Sequence, residues 1–255
     1  MDERYDRNIG IWTEEFQKKL LTVTVGMAGL GGSGGCLASI LARNGFGNLK
    51  IADLDYFEIH NIQRQIYAVE STLGQPKADV TAKGIKDINP SINVSVFREG
   101  VTKENLDSFL EGCDFLHEVI DYSTPEMKIA IHRKAREKRI ITTSAAIIGT
   151  GVATLVFHPD GMSFEEYFKY KDEKEWRQSI DDICRTYPDY FDKEAFFKRL
   201  ATGRVPTTAD GAFLTGITTA GIYKRILMGK EVAYAPKIMR LDILDDGMYR
   251  SSIME

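Results

Sequence analysis

The stretch Thr22-Val23-Thr24-Val25-Gly26-Met27-Ala28-Gly29-Leu30-Gly31-Gly32-Ser33-Gly34 decides the fold. Its first half is short, apolar and rich in β-branched residues, the pattern of a buried strand. Its second half fits GxGxxG and leads into a helical pattern from Ser33 to Arg43. Each glycine has a task in such a turn. Gly29 allows the tight bend, Gly31 lets backbone approach a phosphate, and Gly34 lets helix and strand pack closely. The helix start then offers unpaired N–H groups and a positive dipole end to an anion. Asp53 closes the next strand, Leu49 to Asp53, where it can accept hydrogen bonds from ribose hydroxyls. Strand, loop, helix and acid together point to a nucleotide, and to this stage NAD fits as well as ATP.

Working outward, strand and helix patterns alternate. Helix Lys77 to Ile88 ends at Asn89-Pro90, because proline disfavours helical backbone in the residue before it. Asn93 to Phe97 reads as a strand and Thr102 to Leu110 as a helix with Thr102 as N-cap. Asp114 to Asp121 is a strand, Thr124-Pro125-Glu126 opens a helix, and Arg139 to Thr143 is a fifth strand. This alternation predicts an α/β, Rossmann-like, mostly parallel sheet with helices on both faces. Beyond it, Val152 to Phe157 looks like a strand outside the alternation. Ser163-Phe164-Glu165-Glu166 is a capping-box signature. Ten of the 26 aromatic residues fall between Phe164 and Phe197, so residues 163–200 read as a helical insertion. A long apolar helix over Ala209 to Met228 and a late strand over Lys237 to Ile243 follow.

The net charge of −4 argues against a general nucleic-acid surface. No apolar stretch is long enough for a membrane span, and the charged start MDERYDRNIG is unlike a signal peptide. Cys36, Cys113 and Cys184 are odd in number and far apart, which fits a reducing, cytoplasmic setting. With no CxxC pair, no zinc is expected.

Residues after the ribose acid separate ATP from NAD. They read Asp53-Leu54-Asp55, Asn61-Ile62-Gln63-Arg64-Gln65 and Gly74-Gln75-Pro76-Lys77. A triphosphate carries more negative charge than a pyrophosphate and calls for cations around it, a task that suits Arg64 and Lys77. Asp55 and the polar amides Asn61 and Gln65 stand in the same stretch, close behind the glycine loop and Asp53.

These pieces, with Arg4-Tyr5-Asp6-Arg7, Ile88-Asn89-Pro90 and Val119-Ile120-Asp121, resemble the ThiF/MoeB/HesA family, prokaryotic relatives of ubiquitin-activating enzymes. The resemblance covers residues 4–155 well and continues weakly through the helix after Ala209. It implies a ThiF-like domain over 1–255, with 4–155 as nucleotide-binding core. It also implies ATP with Mg2+ and adenylation of a carboxylate, usually the C-terminus of a small ubiquitin-fold protein or a peptide. Gly32 would touch phosphates, and Asn61, Arg64 and Lys77 would bind the triphosphate. Arg7 would reach across a homodimer interface. Arg7, Arg64 and Lys77 are then the candidate catalytic residues.

The sequence departs from the family in three places. The family ends its fourth strand with Asp-x-x-Asp, whose second acid helps hold Mg2+. Aligned on Asp121-Tyr122-Ser123-Thr124, that second place falls on Thr124, a weaker ligand, and Asp121 is left as the candidate metal ligand. The zinc-binding cysteine pairs of many relatives are absent. Some relatives carry a cysteine that forms a thioester. Cys184, beside Arg185, lies in the right part of the chain, but one flanking cation does not make an activated thiol. Aromatics of the insertion either pack as core or cover a substrate tail, and helical spacing favours packing. Three functions follow in order: an adenylating enzyme, a non-catalytic nucleotide-binding subunit, and an NAD-dependent oxidoreductase, which gives Arg64 and Lys77 no role.

Overall fold

In the computed structural model, residues 2–121, 125–169, 190–200, 202, 205–244 and 250–254 are described. The first strand, β1 (Thr24–Ala28), is buried at every position but its first. That is the mark of a central strand covered on both faces. It pairs in parallel with β2 (Asn48–Ala52), which pairs with β3 (Asn93–Phe97). On its other side β1 pairs with β4 (Phe115–Glu118), and β4 with β5 (Ile141–Ile148), again in parallel. Then β6 (Gly151–Phe157), β7 (Ile238–Asp242) and β8 (Arg250–Met254) extend the sheet antiparallel. The eight strands run β3-β2-β1-β4-β5-β6-β7-β8. The order reverses direction between β1 and β4, the place where such sheets bind ligands beyond their carboxyl ends.

Helices cover both faces. Helix α1 (Glu14–Leu20) is capped by Thr13, whose Oγ1 accepts from the Phe16 N–H at 3.2 Å. Helix α2 (Gly32–Asn44) starts at the glycine loop and stops at Gly45, in the left-handed region at φ 87°. With α3 (Lys77–Ile88) and, further along the chain, the long helix of Ala209–Leu227, it buries Leu37, Leu41, Ile85, Ile222 and Tyr223 on one side of the sheet. Helices α4 (Leu106–Leu110) and α5 (Pro125–Glu137) bury Phe109, Ile131 and Ala135 on the other. In the insertion, α6 (Phe164–Phe168) has its capping box formed and packs Phe164 and Phe168 into a third cluster with Ile148, Leu155 and Phe157. Helix α7 (Lys193–Leu200) precedes α8 (Ala209–Leu227), which Thr208 caps through its side chain. Of the aromatics between Phe164 and Phe197, Phe164, Phe168 and Phe196 are buried, Tyr190 and Phe197 are exposed, and Tyr170, Trp176 and Tyr187 lie outside the described residues.

Several expected boundaries move. Helix α4 begins at Leu106, not Thr102, because Thr102 and Asn105 bond each other's backbone N–H groups and close a turn first. Strand β4 ends at Glu118, three residues short of the expected Asp121. Strand β5 starts later, since Arg139 ends α5 at φ 58°, and runs on to Ile148 because β6 continues to pair with it beyond β4. Helix α1 and strand β8 were not foreseen.

Candidate nucleotide site

Register places the site. Ala28 lies opposite both Ala52 and Glu118, so Gly29, Asp53 and Val119 leave the sheet at the same carboxyl edge. Gly29 sits at φ 101°, and a Cβ there would lie 2.8 Å from the Val119 carbonyl oxygen. A Cβ on Gly34 would lie 1.9 Å from the Gly29 carbonyl oxygen. Loop and helix start are therefore in backbone contact, and only glycine fits. Gly31 is the N-cap of α2 and brings no side chain to cap it, so nothing of its own covers the helix start.

Asp53 braces this loop. Its Oδ2 accepts from the Leu30 N–H at 2.6 Å and its Oδ1 from the Asp55 N–H at 2.9 Å. Burial raises its pKa, opposed by the Lys77 charge. Lys77, the first residue of α3, is 7% exposed and donates from Nζ to Asp55 Oδ2 at 2.9 Å. Asn61 is buried and accepts at Oδ1 from the Glu58 N–H at 3.0 Å. Its carbonyl accepts from the N–H groups of Arg64 at 3.1 Å and Gln65 at 2.9 Å. Asn61 thus builds the turn that presents the next two residues. Arg64, half-buried, lies with Cγ 3.6 Å from where a Gly32 Cβ would be, and its Nη1 donates to the His60 carbonyl. Burial lowers its pKa. Gln65 is 5% exposed, its Nε2 is 3.6 Å from the Cβ position of Gly31, and its Oε1 is buried without a hydrogen-bond partner. Ala212 of α8 closes in on the opposite side, 3.0 Å from the Cβ position of Gly32. The uncovered helix start suits an anion, while the buried Gln65 Oε1 is an acceptor and calls for a donor such as a ribose hydroxyl or an exocyclic amine.

Arg7 is elsewhere. It lies exposed on a 3-10 helix, Glu3–Asn8, whose Tyr5 is buried against Gly45 at the far end of α2. Asn89 Nδ2 donates to the Tyr5 hydroxyl, so two of the motifs that carry the resemblance meet in space. The 13 residues of α2 separate Arg7 from its own glycine loop, roughly 20 Å of helix. Asp121 is exposed just beyond β4. Thr124, Cys184 and Arg185 lie outside the described residues. Cys36 and Cys113 are buried, and burial pushes both thiols up to about 11. Among the described residues no three His, Cys, Asp or Glu side chains converge on a metal-binding cluster.

Two buried polar groups behind the loop escaped the sequence reading. His117 Nε2 lies 2.8 Å from Ser33 Oγ, and its Nδ1 lies 3.0 Å from Thr143 Oγ1, which meets the Tyr223 hydroxyl at 2.7 Å. Burial lowers the His117 pKa to about 4. Glu118, Lys128 and His132 form a second group: Lys128 Nζ donates to Glu118 Oε1 at 2.7 Å and His132 Nε2 lies 3.1 Å from Oε2. The available signal was a Glu beside a His inside an otherwise apolar strand, Phe115-Leu116-His117-Glu118.

A family model described as the ThiF family matches residues 5–253. The chain belongs to the ThiF family. Among ThiF-type relatives, it is 35% identical over 122 residues to the tRNA threonylcarbamoyladenosine dehydratase of Bacillus subtilis, 48% of each chain. It is 32% identical over 143 residues to the sulfur carrier protein ThiS adenylyltransferase of Escherichia coli, 56% of each. The matched region spans about half the length of these relatives. The structure of E. coli MccB with ATP superposes with a TM-score of 0.70 at 18% identity, covering 100% of this chain and 71% of that one. This is a likeness of fold. No described helix is long and apolar enough to cross a membrane.

Proposed function

We propose that the chain uses ATP to adenylate a carboxylate, the C-terminus of a small ubiquitin-fold protein or a peptide, and releases pyrophosphate. One observation carries this reading. A glycine cradle, the half-buried Arg64 and the buried Gln65 gather at one helix N-terminus, and Asp53, which accepts from the Leu30 and Asp55 N–H groups, links that loop to the pair of Asp55 and the buried Lys77. A hydride-transfer site would leave both cations without a task. Family membership and the names of the ThiS adenylyltransferase and of MccB with ATP support it.

A carboxylate is ionised at pH 7 and is itself the nucleophile, so the chain need supply no base. One of its oxygens bonds to the α-phosphorus as the bond to the bridging oxygen of pyrophosphate breaks. The chain's work is to position the partners and neutralise charge. Asp53 orients the ribose while bracing the loop. Gly29, whose own N–H donates to the Ala52 carbonyl, makes the turn, Gly31, Gly32 and Gly34 present backbone N–H groups, and Asn61, Arg64, Gln65, Asp55 and Lys77 line the polyphosphate side. Mg2+ supplies further charge neutralisation when bound, and needs only one or two carboxylates from the protein. Strand β4 ends at Glu118, and we read the acid-x-x-acid spacing as Glu118 and Asp121, with Asp121 as the acid that would hold the metal. Arg7, remote from its own loop, acts in the partner's site of a homodimer.

ATP–pyrophosphate exchange, run with acceptors bearing a free or an amidated C-terminus, tests this. Exchange with free carboxylates only, abolished by Lys77→Ala, is expected. Because one relative is named for a modified tRNA, threonylcarbamoyladenosine tRNA belongs among the acceptors tried. Exchange unaffected by Lys77→Ala would overturn the site assignment.

A further inference from the structure

The sheet stops supporting the chain at Glu118. Val119 still donates to the Ala28 carbonyl at 2.9 Å, but Ile120 has no ladder partner among the described residues. Side chains hold it instead. Its N–H donates to Glu118 Oε1 at 2.8 Å, and its carbonyl accepts from Lys128 Nζ at 2.8 Å. Lys128 also pairs with Glu118 at 2.7 Å, with side chains 1% and 0% exposed. His132 Nε2 meets the other Glu118 oxygen, and its ring stacks on Phe164 of α6 with centroids 4.0 Å apart.

Stability is a poor reason for this arrangement. A fully buried ion pair loses so much hydration that an apolar pair of the same volume commonly serves as well or better. What the apolar pair cannot do is grip both backbone polar groups of Ile120. The residue so gripped is the one before Asp121, on the mouth of the crevice beside the Gly29 turn. Resting on the nucleotide reading above, we infer that Glu118 and Lys128 are positioning residues that aim the Asp121 carboxylate at the metal accompanying the nucleotide. Remove the clamp and Asp121 remains, but the Ile120 backbone before it loses the two side-chain hydrogen bonds that position it. The glycine loop, Arg64, Gln65 and Lys77 lie outside the clamp, and Val119 beside Gly29 keeps its own bond to the Ala28 carbonyl.

Calorimetric titration with a non-hydrolysable ATP analogue, in Mg2+ and in EDTA, separates the two contributions without using activity. The wild type is expected to bind at least tenfold more tightly with Mg2+. Lys128→Met should lose that gain while its affinity in EDTA stays within threefold of wild type. The double variant Glu118→Leu with Lys128→Met keeps the volume without charge and guards against a fold lost to one unpaired carboxylate. Asp121→Asn should behave like both. A lowered melting temperature with the Mg2+ gain intact would make the clamp structural only and overturn the inference. So would a wild type that binds equally with and without Mg2+, although the nucleotide reading would stand. No binding of the analogue under either condition would instead remove the nucleotide reading itself.

Discussion

At the scale of single residues, the site depends on atoms that are not there. A Cβ at position 34 would stand 1.9 Å from the Gly29 carbonyl oxygen, a backbone atom with no flexible side chain to yield. Gly34→Ala is expected to destabilise the protein by about 1–3 kcal/mol. It should also weaken nucleotide binding more than tenfold, measured by chemical unfolding and by calorimetry. The glycine spacing was legible because a missing side chain is a property of sequence. Asn61 was legible only as a polar residue in a motif. That its Oδ1 and carbonyl build the turn carrying Arg64 and Gln65 depends on a local backbone path that spacing does not encode. Lys128 was not legible at all. On a helical pattern it reads as a solvated charge, and only the neighbouring strand's Glu118, ten residues away, explains its burial.

At the scale of elements, close approach between helices ties the site to the C-terminal half. A Cβ on Gly216 of α8 would lie 2.9 Å from the backbone of Cys36 and Leu37 in α2. Gly216→Val should push the helices apart and lower the denaturant midpoint, by about 1–3 kcal/mol of stability. Because Ala212 on the same helix abuts Gly32, nucleotide affinity should fall with it. The N-terminal 3-10 helix offers a separable case. Asn89→Ala removes the donor to the buried Tyr5 hydroxyl, so amide exchange over residues 3–8 should quicken while β1 and α2 keep their protection. Element identities in the alternating region were readable because period and punctuation agree there. Ends were not, where a side chain satisfied backbone locally, as Asn105 does for Thr102, or a later strand lengthened an earlier one, as β6 does for β5. Helix α1, seven residues long, carries too little periodicity to stand out beside its strand.

At the scale of the whole molecule, acid should loosen the fold near pH 5. His117 has a folded pKa of about 4 against 6.5 unfolded, because burial disfavours its charge. Its contribution is complete above about pH 6.5 and is lost as pH falls towards 4, since the unfolded chain takes up the proton first. Melting temperature should decline across that window, and His117→Gln should flatten the decline if the variant folds. Symmetry gives a second expectation. If Arg7 acts across a dimer, Arg7→Ala and Lys77→Ala chains, each inactive alone, should regain activity when mixed. Half the dimers would be mixed and each would hold one intact site, about a quarter of wild-type activity. No recovery would return Arg7 to its own surface. The contact between Gly34 and the Gly29 carbonyl has one more result. A loop wedged against its helix by backbone has few other shapes to leave before a ligand arrives, so little ordering remains to be done on binding. Nucleotide capture should then run at similar speeds for ATP, ADP and AMP, and preference among them should appear in how long each stays.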